Sequence, residues 1–161
     1  MIIRPVDARD HAAVRDLLIA AFPGPDEAQL VERLRTDGAA AIELAAREDS
    51  RIVGHILFSP LQAPMRALAL APLAVAPDRQ SAGIGSALVQ AGHDRAREEG
   101  WDAVFVLGDP GYYGRFGYDA ALAAGFESPY AGPHFMALAL GRAALPRHGA
   151  VTHAPAFAAL G

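Results

Sequence analysis

A chain of 161 residues that is 52% hydrophobic and 20% charged has the size and composition of one soluble globular domain. It contains no cysteine, which excludes a disulfide scaffold, a thiolate metal site and a cysteine nucleophile. Its formal net charge of −4 argues against nucleic acid as the main partner, because neutralising phosphates needs a basic face.

The chain opens with a short apolar strand, Ile2-Ile3, ended by Arg4-Pro5. Asp7 is placed to cap a helix, with Asp10 completing a weaker form of capping box, and Val14, Leu17, Leu18 and Ala21 recur at the helical period. Phe22-Pro-Gly-Pro25 breaks it. A second helix starts near Asp26, with Glu27 in its first turn and Leu30, Val31 and Leu34 on one face. Residues 41–47 and 51–59 read as strands joined by the polar turn Glu48-Asp-Ser50. Pro60 and Pro64 bracket a loop before a strand over 65–75.

The most informative stretch follows. The apolar run stops at Pro77, a polar turn intervenes, and Gly83 and Gly85 open a helix predicted over 84–99 with Gly100 as its stop. Two glycines one residue apart let the backbone approach a ligand closely. The first helical turn then offers unpaired N–H groups and the positive end of the helix dipole, a natural seat for a diphosphate. Other phosphate loops fit less well. A dinucleotide fingerprint needs glycine where Leu88 stands, and a nucleoside-triphosphate loop needs a lysine, of which the chain has none. A buried strand over 101–107 comes next, then a short helix and a last strand over 135–140. The alanine- and proline-rich tail over 141–161 carries weak signals. No repeat or domain boundary is visible. The order of elements predicts an α+β, or mixed α/β, sheet with helices on both faces in a single domain over 1–161. With no signal peptide and no apolar run near the roughly 20 residues that span a bilayer, the expectation is a cytoplasmic protein without a membrane partner.

Gln80-x-x-Gly83-x-Gly85 resembles the acyl-CoA diphosphate loop of the GNAT superfamily of N-acetyltransferases. Leu107-Gly-Asp-Pro-Gly-Tyr-Tyr-Gly-Arg-Phe-Gly-Tyr118 resembles a segment of its bacterial YhbS-like branch, as do Gly54-His-Ile-Leu-Phe-Ser-Pro60 and Pro72-Leu-Ala-Val-Ala-Pro77. Ser81, where many members have glycine, and Tyr118, in place of phenylalanine, are minor departures. The resemblance implies a central, mostly antiparallel sheet with a splayed strand pair, and acetyl transfer from acetyl-CoA to an amine on a small molecule or peptide. A dimer is common in the family, and no metal is implied. The alternative is an acyl-CoA-binding sensor of the same fold without turnover.

The resemblance further implies that acetyl-CoA pairs with Leu73, Ala74 and Val75. It would be cradled by Gln80, Ser81, Ala82, Gly83, Ile84, Gly85 and Ser86, and met from the other side by Gly108, Asp109, Tyr112, Tyr113 and Phe116. Arg79 and Arg115 are candidate contacts for its phosphates. Tyr113 is the candidate acid for the leaving thiolate, with Tyr112 the fallback. The oxyanion donor is expected to be a backbone N–H near Val75. Many members carry a glutamate on the strand before the loop, but 65–75 holds no carboxylate, which leaves Glu27, His55 or water as the base. Asp109 either binds substrate or starts a turn. His148 and His153, five residues apart without carboxylates, do not make a metal site.

Overall fold

The structure is a computed structural model that describes residues 1–159. Strand β1 (Ile2–Pro5) is followed by the capping box anticipated at Asp7. The Asp7 carboxylate accepts from the Arg9 N–H at 2.8 Å, and Asp10 accepts from the Asp7 N–H at 3.0 Å. The capped turn is a 3₁₀ turn, so helix α1 begins at His11 and runs to Ala21, burying Val14, Leu17 and Leu18. Helix α2 (Asp26–Thr36) carries Asp26 and Glu27 in its first turn and Arg33 and Arg35 in its last, each sign matching the dipole end beside it.

Strands β2 (Ile42–Glu48), β3 (Arg51–Leu61) and β4 (Ala67–Val75) form an antiparallel meander. β3 runs two residues past the predicted end and takes in Pro60. Phe58 turns its carbonyl toward the β2 side, where it accepts from the Ala41 N–H, so by the strand period Pro60 faces that side too. β2 begins only at Ile42, so the proline has no partner there to deprive of a donor. Helix α3 (Ile84–Glu98) leads to β5 (Ala103–Leu107), the short helices α4 (Pro110–Tyr113) and α5 (Ala120–Ala123), then β6 (Phe126–Glu127) and β7 (Phe135–Ala139).

The six-stranded sheet has the order β1-β2-β3-β4-β5-β7, and β4–β5 is its one parallel pair. α3 covers one face. A side-chain carbon on Gly54 would lie 2.8 Å from Ile84 and Leu88, and one on Gly92 would lie 2.3 Å from the Phe58 ring, so both glycines let α3 sit close. The opposite face of β3, carrying Val53, His55, Leu57 and Ser59, lies under α1 and α2, since Arg35 of α2 reaches Glu43 and Glu43 reaches His55.

The tail is more ordered than its sequence suggests. Strand β8 (Gly149–Ala150) pairs with β6, Thr152 exchanges backbone hydrogen bonds with Gln62, and the turn Pro155–Ala159 buries Ala156 and Phe157. These apolar contacts join the extension to the hydrophobic core.

Candidate active site

The gap between β4 and β5 comes from two features of β4. It pairs with β5 only over Ala67–Ala69, opposite Ala103–Phe105, and then runs on to Val75 while β5 stays paired with β7. Between Leu70 and Leu73 it bulges, with Ala71 and Pro72 standing opposite the single residue Leu57 of β3. The Ala76 N–H donates to Val53 O at 2.8 Å, which turns Ala76, and by the strand period Ala74, toward β3. Leu73 and Val75 therefore present their N–H and C=O groups to the gap, like an unpaired strand edge.

The loop after β4 keeps this edge next to a helix terminus. Gln80 Nε2 donates to Val75 O at 3.4 Å. The chain passes through left-handed conformations at Ser81 (φ 66°) and Gly83 (φ 85°) before α3 begins. The first backbone bond at the head of α3 is Ala87 N–H to Gly83 O, so the N–H groups of Ile84, Gly85 and Ser86 have no intrahelical acceptor. A Cβ on Gly85 would sit 3.6 Å from Val75 and 2.8 Å from the Tyr112 hydroxyl. That space is kept open by glycine.

A cavity of about 890 Å³ joins these parts. Leu73, Val75, Gln80, Ser81 and Gly83 form one wall, Ile84, Gly85 and Ser86 the head of α3, and Asp109, Tyr112 and Arg115 the wall opposite. Gly111 also lines it and was missed from the sequence, where it reads as a spacer between Pro110 and Tyr112. The Asp109 carboxylate accepts from the Gly111 N–H at 3.1 Å and caps α4, the turn-starting role. Arg115 lies 4.7 Å above the Tyr112 ring and 5.6 Å from that of Phe116, which holds its cationic head at the cavity wall.

Other predicted residues stand back from the cavity. Ala74 is buried facing the far side of the sheet, and Ala82, Gly108 and Phe116 do not line the wall. Arg79 is held by Glu48 through two bonds of 2.7 and 2.6 Å. The Tyr113 ring packs on Gly108 at the end of β5, edge-on to Tyr112 and Tyr118. Burial, helped by neighbouring Tyr112, pushes its hydroxyl up to about 12. Glu27 is half-buried in the first turn of α2 and makes no hydrogen bond to another described residue. His55 is fully buried with Nε2 2.8 Å from Glu43. Neither Glu27 nor His55 lines the cavity. Among the described residues no group of His, Asp and Glu is arranged to hold a metal ion, and no helix is long and apolar enough to cross a membrane.

A strand edge splayed from its parallel neighbour thus runs into main-chain amides at a helix head, a shape suited to an extended, diphosphate-bearing ligand. The description of the acetyltransferase (GNAT) family matches residues 11–118, and the chain belongs to that family. It is 37% identical over 133 residues to the uncharacterized N-acetyltransferase YjhQ of Escherichia coli K12, covering 77% of this chain and 73% of that one. Among solved structures it resembles the Escherichia coli GNAT family N-acetyltransferase YhbS in complex with CoA, at a TM-score of 0.91 and 30% identity over 99% of this chain and 93% of that one. A GNAT family acetyltransferase from Brucella melitensis in complex with acetyl-CoA aligns at a TM-score of 0.84 and 34% identity, over 97% of both chains.

Proposed function

We propose that this protein transfers the acetyl group of acetyl-CoA to an amine of a small molecule or peptide, by direct attack with both substrates bound. The observation that carries this reading is the continuity of the cavity from the free edge of Leu73 and Val75 to the unpaired amides of Ile84, Gly85 and Ser86. An acyl-CoA has the matching order of groups: a thioester, an amide-bearing arm that can pair with a strand edge, and a diphosphate. The relatives solved with CoA and acetyl-CoA support the same choice of ligand.

Acetyl-CoA supplies an activated acyl carbon, and three jobs remain for the chain. Negative charge developing on the thioester oxygen is met by an N–H of the β4 edge, a fixed dipole that needs no rearrangement. The leaving sulfur, whose thiol has a pKa of about 8.5, is assisted by a proton. Tyr113 supplies it, because a hydroxyl pushed up to about 12 stays protonated throughout the physiological range and remains a donor. Tyr112, on the cavity wall, helps to hold the ligand over Gly85. The third job is to take a proton from the acceptor, since an alkyl amine of pKa about 10 must lose one to attack. Glu27 of α2, His55 of β3 or water takes it.

The test is release of free thiol from acetyl-CoA against pooled primary amines, with mass spectrometry of the products. One amine gaining an acetyl group as thiol appears is the expected result. Acetyl-CoA binding without thiol release from any amine would favour an acyl-CoA sensor instead.

A further inference from the structure

β4 offers no carboxylate between Ala67 and Val75, so the strand beside the reaction centre has no side chain that can accept a proton. The next strand does. His55 of β3 pairs with Ala74 of β4, between the two residues whose backbone edges the cavity. Its ring is 0% exposed, and its Nε2 lies 2.8 Å from Glu43 Oε2. Arg35 grips the same carboxylate, its Nε 3.0 and 3.2 Å from the two oxygens and its terminal nitrogen 2.6 Å from Oε2, the oxygen that His55 meets. His55 Nδ1 is buried with no partner among the described residues.

We propose that Arg35, Glu43 and His55 form a proton-accepting chain beneath the acyl site, in which His55 Nδ1 takes the proton released by the acceptor amine. This rests on the acetyl-transfer reading above. An ionised carboxylate can only accept hydrogen bonds, so the ring nitrogen facing Glu43 carries a proton and the neutral imidazole keeps its lone pair on Nδ1. Burial works to raise Glu43, but the bonds from His55 and Arg35 outweigh it and hold the carboxyl at about 2, so it is ionised at neutral pH. The charged groups facing the ring are Glu43 from β2 and Arg35 from α2. β4 opposes it with Ala74, its same-face neighbours on β3 are Val53 and Leu57, and α1 buries Val14, Leu17 and Leu18. Glu43 and Arg35 are thus positioning residues that select the tautomer and stabilise the imidazolium once formed.

Because the ring is closed to solvent, the proton reaches Nδ1 through a bridging water. The acceptor ammonium first passes one proton by way of that water to His55, which hands it to solvent. As the new N–C bond forms and the C–S bond breaks, the nitrogen sheds a second proton to His55 along the same path, and Tyr113 gives its own proton to the sulfur. After the products leave, His55 returns one proton to solvent and Tyr113 regains one, so the cycle closes.

Two measurements on the full-length protein decide the matter. The first is ¹⁵N NMR of histidine-labelled protein near neutral pH. It should find His55 protonated at Nε2 and bare at Nδ1, a preference lost in Glu43→Gln; an Nδ1–H tautomer overturns the proposal whether or not any amine is acetylated. The second is turnover with an amine that the wild type acetylates. His55→Gln can still donate to Glu43 but cannot take a proton, so kcat should fall about 100-fold or more and lose its acidic limb, while acetyl-CoA affinity by calorimetry stays put. Glu43→Gln should lower kcat about 10- to 100-fold. Unchanged turnover in His55→Gln with chemistry rate-limiting overturns the proposal, as does a parallel loss of affinity and turnover with the acidic limb intact. Failure of the wild type to acetylate any amine tells against the acetyl-transfer reading, and the tautomer then decides this one.

Discussion

The Tyr112 hydroxyl stands 2.8 Å from the point where a side-chain carbon on Gly85 would begin. One residue sits at the head of α3 and the other on α4, so this approach sets the width of the cavity at the place proposed for the diphosphate.

Gly85→Ala should therefore separate binding from folding. Its methyl group meets the free end of a flexible side chain, which can swing aside, so thermal stability should hardly move. The ligand loses that space, and affinity for acetyl-CoA in calorimetry should drop tenfold or more, an estimated 1.4 kcal/mol or above. Gly83→Val acts differently. No atom lies within 4 Å of a Cβ there, but φ is +85°, and a branched residue in that conformation costs about 1 to 2 kcal/mol or more of stability. Unchanged affinity in a folded Gly85→Ala protein would remove the loop from the ligand site.

Ser81 is exposed and holds φ at +66°, the conformation that glycine adopts without penalty. Ser81→Gly relieves about 1 kcal/mol of backbone strain and returns part of it as unfolded-state entropy. The expected outcome is a small rise in the urea midpoint with an unchanged slope. A fall in the midpoint would mean that the serine hydroxyl contributes more than its backbone costs.

Much of the fold was legible because each element carries its own local signal. The Asp7–Asp10 capping box, the helical spacing of Val14, Leu17 and Leu18, and the glycines after Pro77 all depend on near neighbours in sequence. The Arg35–Glu43–His55 chain was not legible, for a specific reason. Extending the Glu48–Arg51 pairing regularly along the hairpin would place Glu43 opposite Ile56 and His55 opposite Leu44, on opposite faces of the sheet. One additional residue in β3, Val53, shifts the register between Ala46 and Arg47 and brings the two side chains to the same face. Gly54, beside the bulge, is the one local mark of it, and it serves equally to let α3 pack close, so it does not by itself reveal the shift. The ion pair that takes Arg79 away from the cavity likewise joins residues 31 apart, beyond the reach of local spacing.

Three groups withdrawn from water, His93, His153 and Glu43, predict how the protein responds to acid. His93 lies on α3 with Nε2 2.8 Å from the Tyr118 hydroxyl, and burial lowers it to about 4 from the usual 6.5. Its folded value is below its unfolded one, so the unfolded chain takes up the proton first as pH falls. The stability is whole above pH 6.5 and is lost on the way to pH 4, by roughly 3 kcal/mol. Burial lowers His153 to about 4 just as it does His93, so His153 adds its own loss over the same pH range. Glu43, held at about 2 against 4.5, adds a further loss of similar size between pH 4.5 and 2. Urea unfolding at pH 7, 5.5 and 4 should show a steady decline, shallower in His93→Gln, whose amide still reaches Tyr118. An equal slope in the variant would assign the decline to other groups.

Tyr113→Phe removes one hydroxyl from a ring that packs on Gly108 and against Tyr112 and Tyr118. The ring contacts remain, so folding and acetyl-CoA affinity should barely change. Loss of the acid should lower turnover about 100- to 10,000-fold, or roughly 3 to 5 kcal/mol of barrier. The deficit should shrink for an acyl donor with a more acidic thiol, because a better leaving group needs the proton less. With the hydroxyl raised to about 12, a basic limb from its ionisation should not appear in kcat below about pH 11. Tyr112→Phe is the informative partner. Its hydroxyl faces the cavity, so it should weaken acetyl-CoA binding by a few-fold, the value of one hydrogen bond of about 1 kcal/mol, and leave kcat near wild type. A reversal of the two phenotypes would move the acid one residue along α4, to the tyrosine on the cavity wall. Full turnover in both variants, with chemistry shown to be rate-limiting, would leave the sulfur to depart as a thiolate without help from this helix.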